Sequence, residues 1–344
     1  MIGQLDTLPE ALLPWYETHK RDLPWRQDAD PYHIWVSEIM LQQTRVEAVK
    51  GYYARFLKAL PTIADLAMAD EGLLMKLWEG LGYYSRVRNL QKAARIILEE
   101  HSGQFPREHN AVLALPGIGD YTAGAICSIA FGLKTPAVDG NVLRVISRIQ
   151  ADFSPIDTTA RKKEVQSLLT EIYPEQAGDF TQSLMELGAT ICGPNKAPDC
   201  EICPCKDFCK GFTQGVAPQL PIKSPKKGRR VEEKTLFLLR CNDKYALQRR
   251  PETGLLAGLW QLPEVPGILD VPAALEQLAL PVRQVHRQLD KNHIFTHIEW
   301  KMRCIYLEIA ENSQHFQWFT KEEIEKFTAL PTAYRQFWEA RGDF

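Results

Sequence analysis

The stretch Leu115-Pro-Gly-Ile-Gly-Asp-Tyr-Thr-Ala-Gly-Ala-Ile126 decides the fold of the first part of the chain. A proline ends one helical pattern, and Gly117 and Gly119 allow a tight turn before a second helix that begins near Asp120. The backbone amides at the start of that second helix are free to bind an anion such as a phosphate oxygen. The string therefore predicts two helices joined by a glycine turn, over about residues 108–130.

Helical patterns continue on both sides of this turn. Between residues 8 and 211, apolar residues recur at spacings of three and four, which indicates helices that bury one face. No alternating strand pattern of useful length interrupts them. The predicted helices are 8–19, 34–60, 71–81, 87–100, 142–150, 161–172 and 180–192.

The second part of the chain has a different period. Residues 215–234 contain prolines and a basic run that resist both helix and strand, so we interpret them as a linker, either a solvated tether or one that also contacts phosphates. Beyond it, a period of two predicts a hairpin around Asn242 and Asp243. The predicted strands are 235–240, 244–249, 300–309 and 316–319, and the predicted helices are 272–280, 321–327 and 333–341. The sequence thus predicts a multidomain protein with an all-α domain over residues 1–214 and an α+β domain over residues 235–344.

Composition limits the class of protein. Of 344 residues, 41 are Lys or Arg and 43 are Asp or Glu, so the net charge of −2 gives no general sign of nucleic-acid binding. A hydrophobic fraction of 45% and a charged fraction of 24% exclude disorder, collagen and coiled coil as the main architecture. No run of about 18 apolar residues predicts a membrane span, and the N-terminal residues lack the pattern of a signal peptide. We therefore expect a cytoplasmic location, where disulfides are rare.

Five of the eight cysteines lie close together, between residues 192 and 209. Four of them, Cys192, Cys200, Cys203 and Cys209, are spaced so that their thiolates can surround one metal centre, either Zn²⁺ or an iron–sulfur cluster. Structural zinc sites usually pair two Cys-x2-Cys units across a longer loop, and this segment has only one such pair. Together with the rest of the chain, this favours an iron–sulfur loop over residues 192–209, in which Cys205 is a fifth thiol that could compete as a ligand.

Two carboxyl groups have positions suited to acid–base chemistry. Glu38 shares an apolar helix face, so desolvation should raise its pKa and make it a general acid; the alternative is a helix-edge carboxylate that reaches water. Asp139 precedes a helix from Asn141, and an ordinary N-cap is the simplest interpretation. Helix-terminal amides would lower the pKa of Asp139. The pair would then hold one neutral and one ionised carboxyl group, with pKa values shifted in opposite directions.

The glycine hairpin, an aspartate about 20 residues beyond it and the four-cysteine loop together resemble the endonuclease III superfamily of helix-hairpin-helix DNA glycosylases. Within that superfamily the chain is most similar to the MutY-type adenine DNA glycosylases. Four further strings carry this likeness: Leu23-Pro-Trp-Arg26, Trp35-Val-Ser-Glu-Ile-Met-Leu-Gln-Gln-Thr44, Gly80-Leu-Gly-Tyr-Tyr-Ser-Arg86 and Val138-Asp-Gly-Asn-Val142. The likeness covers nearly the whole chain. It departs from the family in the first cysteine spacing, which has seven intervening residues where the family usually has six.

This resemblance implies a monofunctional enzyme of base excision repair that removes adenine paired with 8-oxoguanine or guanine in double-stranded DNA. It implies that Glu38 protonates the leaving adenine and that Asp139 stabilises or transiently traps the sugar before water attacks. Tyr121 occupies the position at which bifunctional members carry a Schiff-base lysine, so strand cleavage should be weak or absent. Adenine must first leave the duplex. The residues implied to line its pocket are Trp25, Arg26, Gln182 and Glu186.

The resemblance also implies DNA contacts and a second recognition site. The implied DNA-binding residues are Gln42, Gln43, Tyr83, Gly117, Gly119 and Asn141. Residues 248–263 resemble the opening of a Nudix domain, but the glutamate-rich helix that a pyrophosphatase needs for Mg²⁺ does not follow, so nucleotide hydrolysis is not expected. In the family this Nudix-like domain reads 8-oxoguanine, and the implied residues are His293, Phe295, Thr296 and His297. The implied cofactor is a [4Fe-4S] cluster on Cys192, Cys200, Cys203 and Cys209, and the implied form is a monomer that acts on chromosomal DNA.

Two other functions fit parts of the sequence. An endonuclease III-type pyrimidine glycosylase with lyase activity is disfavoured by Tyr121 in place of lysine and by the extra domain. A non-catalytic iron–sulfur protein that binds DNA and senses lesions or redox state is disfavoured by Glu38 and Asp139, which such a protein would not need.

Overall fold

The computed structural model describes residues 5–194, 197–225, 228–342 and 344. Parts of the predicted domains, cysteine loop and linker lie outside the described residues, namely 1–4, 195–196, 226–227 and 343. The chain divides into two compact units: unit 1 comprises Met1–Met68 and Arg88–Pro225, and unit 2 comprises Ala69–Val87 and Lys226–Phe344. The division at residues 214 and 235 stays a prediction, and it differs from these units because residues 69–87 belong to unit 2.

Helices build the first 225 residues, as the apolar spacing predicts. They are α1 (Leu8–His19), α2 (Pro31–Leu41), α3 (Val46–Ala59), α4 (Ile63–Met68), α5 (Glu71–Leu77), α6 (Ser85–Glu100), α7 (His109–Leu113), α8 (Asp120–Phe131), α9 (Gly140–Gln150), α10 (Thr159–Ile172), α11 (Ala177–Thr190) and α12 (Lys210–Thr213). In unit 1, apolar side chains of α1, α9, α10 and α11 form one core. Helix α9 is buried from Val142 to Ile149, so the residue that begins it, and the loop before it, are fixed by packing. None of the described helices is long and apolar enough to cross a membrane.

Two predicted helices are wrong in their length, since 71–81 ends at Leu77 and 34–60 is divided. The pattern over 34–60 predicts a continuous helix, whereas the structure has α2 and α3 with a break between them. Gln43 in that break has a φ of 60°, in the left-handed region that a right-handed helix cannot include. The apolar period continues across the break, so it gave no sign of the interruption.

A mixed sheet with helices on both faces forms the core of unit 2. Its strands are β1 (Arg230–Cys241), β2 (Lys244–Arg249), β3 (Trp260–Gln261), β4 (Glu264–Pro266), β5 (Val282–Ile294), β6 (Ile298–Ile309) and β7 (Gln317–Thr320). Its other helices are α13 (Val271–Leu278), α14 (Lys321–Phe327) and α15 (Thr332–Glu339). The strand order is β3-β2-β1-β6-β5, with β4 on β1 and β7 on β2, and β1 runs parallel to β6. This arrangement confirms the predicted α+β class.

The two faces of this sheet bury alternate residues of β1. Leu236 and Leu238 pack toward α14 and α15, whereas Phe237 and Leu239 pack toward α13. The hairpin around Asn242 is confirmed by the pairing of β1 with β2. The linker prediction is wrong at its end, because β1 begins at Arg230 and its first residues already pair with β6.

Candidate active site

A cleft of about 1250 Å³ opens in unit 1. It is lined by residues of α2, α8, α9 and α11 and by a short 3₁₀ turn at Pro24–Arg26. Ten of the residues singled out in the sequence line it: Trp25, Arg26, Glu38, Gln42, Gln43, Tyr121, Asp139, Asn141, Gln182 and Glu186. The structure therefore brings together, from separate segments, the predicted catalytic residues and the predicted adenine pocket.

Glu38 lies on α2 and is 6% exposed. Burial raises the pKa of its carboxyl group to about 7, and the neighbouring charge of Asp139 acts in the same direction. The hydroxyl of Tyr121 donates a hydrogen bond of 2.5 Å to Oε2, which acts to lower that pKa. The prediction that desolvation raises the pKa of Glu38 is confirmed. A carboxyl group in this state holds a proton near neutral pH and can give it to a bound base.

Asp139 caps the N-terminus of α9. Its Oδ1 accepts a hydrogen bond of 2.7 Å from the amide of Val142, and its Oδ2 accepts one of 2.7 Å from the side-chain amide of Asn141. The predicted N-cap is confirmed. The predicted lowering of the Asp139 pKa is wrong, because burial raises it and outweighs the opposing effect of these hydrogen bonds.

Glu186 is fully buried at one wall of the cleft. It accepts hydrogen bonds from Nε and Nη2 of Arg21, at 2.6 and 3.0 Å, and from Nη2 of Arg26 at 2.7 Å. Burial acts to raise the pKa of Glu186, but these two guanidinium groups lower it, so the carboxylate is ionised. Sequence reasoning missed Arg21, although it lies only five residues before Arg26.

A chain of hydrogen bonds runs from Asp139 to the cysteine segment. Asn141, which contacts Asp139, accepts a bond of 2.8 Å from Arg144, and Arg144 donates another of 2.8 Å to the carbonyl of Cys192. One turn further along α9, Arg148 donates to the sulfur of Cys192 at 3.2 Å. Both arginines are buried and sequence reasoning missed them. Their spacing of four residues, among the apolar residues of α9, was the available signal.

The clustered cysteines line one small cavity of unit 1. They are Cys192, Cys200, Cys203, Cys205 and Cys209. Among the described residues, no group of three or more His, Cys, Asp or Glu side chains is placed to hold a single metal ion. An iron–sulfur cluster needs a different arrangement, since each iron takes its own thiolate and the sulfur atoms surround the cluster rather than one point. Soft thiol donors around one cavity fit such a cluster.

The predicted glycine hairpin joins α7 to α8, and α8 begins at Asp120 as expected. Gly117 has a φ of 80°, and a Cβ there would lie 2.7 Å from the Cβ of Asn89. Gly119 caps α8, and a Cβ there would meet no atom within 4 Å. Only glycine fits at position 117 without strain, whereas position 119 faces open space.

Tyr83 and the predicted recognition residues lie in unit 2. Residues 295–297 connect β5 to β6. The ring of Phe295 packs between His293 and Trp300, at centroid distances of 4.6 and 4.8 Å. Tyr83 has a φ of 47°, and its hydroxyl forms a hydrogen bond with the hydroxyl of Thr296. Tyr83 is thus placed beside the recognition residues of its own unit and does not line the cleft.

Comparisons with known proteins match both parts of the chain. Residues 36–175 match the HhH-GPD superfamily base excision DNA repair proteins, and residues 235–340 match the NUDIX domain. The chain is 33% identical to the human adenine DNA glycosylase over 97% of its own length and 74% of that protein. It is 30% identical to the adenine DNA glycosylase of Schizosaccharomyces pombe over 94% of its own length and 87% of that protein.

Solved structures with the same helical fold include other DNA glycosylases. A thermostable thymine-DNA glycosylase is 31% identical, with a TM-score of 0.57 over 62% of this chain and 98% of that chain. An endonuclease III from a non-covalent DNA complex is 22% identical, with a TM-score of 0.54 over 63% of this chain and 98% of that chain, and it shows the fold alone.

Proposed function

Because this chain belongs to the adenine DNA glycosylase family, we propose that the cleft of unit 1 binds an adenine flipped out of duplex DNA and hydrolyses its N-glycosidic bond. The chain is a DNA glycosylase of base excision repair that removes adenine. The single observation that carries the proposed site is the buried Glu38, whose carboxyl group faces the cleft with a pKa of about 7.

Glu38 is the general acid of the proposed reaction. Its Oε2 is held by Tyr121, which leaves Oε1 to deliver the proton to a ring nitrogen of adenine. Protonation lets the bond electrons leave with the neutral base, so the C1′–N9 bond breaks and the sugar becomes an oxocarbenium-like cation. General acid catalysis of this kind contributes about 10²- to 10⁴-fold to a rate.

Asp139 supports the cationic sugar. Its two oxygens are oriented by Val142 and Asn141, so the carboxylate is fixed before the charge develops. Water then adds to C1′ and loses a proton, leaving an abasic site. Asp139 in its ionised form either stabilises the cation or forms a transient bond to it.

We assign the base pocket to Trp25, Arg26, Gln182 and Glu186. Glu186 and its two arginines supply fixed polar groups on one wall, and the buried ring of Trp25 supplies an apolar surface. A pocket that combines an apolar surface with a few oriented polar groups suits a flat heterocycle.

Tyr121 makes the proposed enzyme monofunctional. A phenol at this position cannot form a Schiff base with the sugar, so we expect no coupled strand cleavage. Its hydrogen bond to Glu38 gives it a different role, the orientation of the acid.

Residues of both units would hold the DNA. We propose that the amides at Gly117 and Gly119 bind a phosphate, that Gln42, Gln43 and Asn141 contact the duplex near the flipped adenine, and that residues 293–297 with Tyr83 recognise 8-oxoguanine opposite it. The cysteines at 192, 200, 203 and 209 would hold a [4Fe-4S] cluster, whose chemistry here is structural. Its support is the set of soft thiols around one cavity.

We further propose a cytoplasmic monomer that acts on chromosomal DNA. The support for the compartment is that none of the eight cysteines, all of which the structure describes, forms a disulfide, which suits a reducing environment. The proposed domains remain residues 1–214 and 235–344.

A single-turnover assay tests this function. The substrate is a duplex with one central 8-oxoguanine·adenine pair, labelled on the adenine strand and analysed with and without hot alkali. We expect cleavage only after alkali, and a lower rate with guanine in place of 8-oxoguanine. A duplex with thymine glycol is the control. Cleavage without alkali, or preference for thymine glycol, would place the chain with the lyases; binding without any cleavage would favour a non-catalytic protein.

A further inference from the structure

Residues 69–87 carry the segment Gly80–Arg86, and they belong to unit 2 together with the C-terminal residues. Helix α5 begins at Glu71 with Asp70 as its N-cap, and it lies against α14. This placement links a segment predicted to contact DNA to the body that carries the predicted recognition residues.

An ion-pair cluster fixes this placement. The cluster, here called the clasp, consists of Lys76, Glu79, Glu325 and Arg335. Oε1 of Glu79 accepts hydrogen bonds from Nη2 and Nε of Arg335, at 2.5 and 3.0 Å, and from the amide of Leu330 at 2.8 Å. The two side chains are only 12% and 19% exposed, so this charge pair is largely shielded from water.

The other members of the clasp complete it on both sides. Lys76 donates to Oε2 of Glu79 at 2.8 Å and to the carbonyl of Thr328 at 3.2 Å. Arg335 also donates to Glu325 at 3.3 Å. Each carboxylate oxygen of Glu79 thus has a cationic partner, and the carboxylate connects the residues after α5 to α15 and to Leu330 just before it.

A strained turn follows the clasp directly. Gly80, Gly82 and Tyr83 all have positive φ, at 99°, 69° and 47°. The indole of the buried Trp78 donates to the carbonyl of Gly82 at 3.0 Å. Arg86 donates to the same carbonyl at 3.1 Å. Left-handed backbone at a residue other than glycine persists only where its surroundings impose it.

The turn ends in contact with the recognition loop. The hydroxyl of Tyr83 forms a hydrogen bond with that of Thr296, at the connection of β5 and β6. Glu79 is therefore joined to Tyr83 by four residues of backbone, which the Trp78–Gly82 hydrogen bond folds into the turn, and Tyr83 contacts Thr296 of the predicted recognition residues.

We propose that Glu79 and Arg335 are positioning residues for recognition of that base. Their ion pair holds the segment that carries Tyr83 in a fixed position within unit 2. Tyr83 and residues 293–297 would then contact the base opposite adenine in one fixed geometry. This inference rests on the proposed function, because it concerns the choice between 8-oxoguanine and guanine. Neither residue touches DNA in this scheme; each acts through Tyr83 and Thr296.

Single-turnover excision rates test the proposal, measured on the full chain with adenine opposite 8-oxoguanine and opposite guanine. We expect Glu79→Gln to lower the ratio of the two rates about tenfold, mainly through the 8-oxoguanine duplex, because small misplacements of positioning groups have effects of this order. Arg335→Lys keeps the positive charge but loses the paired N–H groups, so it should lower the ratio of the two rates less than Glu79→Gln does. Glu308→Gln is the matched control, since it breaks the Arg240–Glu308 ion pair (3.2 Å) at the far ends of β1 and β6.

Hydrogen–deuterium exchange on the same proteins gives a readout independent of catalysis. In Glu79→Gln, amides of residues 80–86 and 293–297 should both exchange faster, while Glu308→Gln changes neither segment. If Glu79→Gln does not fold, the same two measurements on Arg335→Lys test the proposal, because this variant keeps the charge of the pair.

The outcomes separate this inference from the proposed function. A wild-type protein that excises adenine equally opposite both bases overturns the proposed 8-oxoguanine preference, and this inference with it. A wild-type preference that survives intact in folded Glu79→Gln or Arg335→Lys overturns the inference alone. A lost preference with unchanged exchange in both segments also overturns it, because positioning is then not the cause.

Discussion

Glu38 combines two properties that oppose each other, a buried position and an ionisable group. Burial raises its pKa from 4.5 to about 7, which keeps the proton that the proposed reaction needs. The same burial makes the ionised form costly to the folded state, because the unfolded chain exposes this carboxylate to water. The proposed general acid is therefore a residue whose carboxyl group lowers the stability of the fold at pH values above its ordinary pKa.

The pH dependence of excision follows from this pKa. We expect single-turnover rates on an adenine-containing mispair to fall about tenfold per pH unit above about pH 7, because the general acid must be protonated. At acid pH the rate should fall again, because Asp139 must be ionised and burial raises its pKa. Rates across pH 5.5–9, with DNA binding measured at each pH, check this. A rate that rises above pH 7 would contradict the role of Glu38 as an acid.

The unfolding free energy should also depend on pH through Glu38, and replacing this residue should raise it. Since the folded-state pKa of Glu38 is raised, its destabilising effect is absent below about pH 4.5, grows through pH 7 and is complete above it. We expect Glu38→Gln to exceed the wild type in unfolding free energy by about 3 kcal/mol at pH 8, and to differ little at pH 4.5. Urea unfolding at both pH values measures this, and the variant should have lost excision activity. An equal effect at both pH values would contradict the assignment.

Tyr121 tunes this acid through one hydrogen bond. The bond acts to lower the pKa of Glu38, so Tyr121→Phe should raise that pKa and move the falling part of the pH–rate profile to higher pH. The rate at pH 6 should also fall, because the carboxyl group loses the contact that orients it. A profile that moves to lower pH would rule out this role.

At the scale of elements, the sequence predicted those helices, strands and turns that depend on residues close together in the chain. Helix α1 and strand β2 match their predicted bounds, and the hairpin between β1 and β2 forms around Asn242. Strand β5 was missed because it lies at the sheet edge, where most of its residues are polar and exposed and no alternation marks a buried face.

In the candidate site, the sequence predicted the two carboxyl groups but not the arginines that contact the site residues. Glu38 and Asp139 could be found from helix phase and from the position before a helix, although the pKa of Asp139 could not, because its burial depends on distant segments. The partners Arg21 and Arg144 act across more than 40 residues of sequence, on Glu186 and Cys192, and no local pattern encodes such pairs.

The two glycines of the hairpin should separate folding from DNA binding. Gly117→Ala meets the Cβ of Asn89 and requires a positive φ, so we expect a loss of about 1–3 kcal/mol in unfolding free energy. Gly119→Ala meets no protein atom, so its stability should change little, while the added methyl group obstructs a phosphate and weakens DNA binding. Thermal unfolding and binding to a duplex of undamaged DNA measure the two effects. Equal loss of stability in both variants would contradict this distinction.

At the scale of the whole molecule, buried side chains connect sites that the sequence places far apart. Helix α9 begins at the cap Asp139, and its arginines reach the carbonyl and sulfur of Cys192. The order of the cysteine segment and the orientation of the Asp139 carboxylate therefore depend on the same helix. A defect in one should be detectable at the other.

Iron content tests the assignment of the cysteines. Protein purified without oxygen should be brown and hold about four irons per chain. Cys203→Ser should lose iron and lower the melting temperature, whereas Cys205→Ala should keep iron, because Cys205 is not among the four assigned ligands. Cys241→Ser, a buried cysteine of unit 2, controls for loss of a thiol elsewhere. Iron loss in Cys205→Ala with retention in Cys203→Ser would reassign the ligands.

Residues 69–87 belong to unit 2, and this limits how unit 2 can be transferred to another protein by gene fusion. A gene fusion that appended only residues 226–344 to another helical repair enzyme would transfer the sheet but leave behind the strip that carries Tyr83. The new host would have to supply an equivalent strip in the middle of its own reading frame. Because unit 2 is encoded by two separate stretches of the gene, its complete transfer to another protein requires two coordinated changes rather than one.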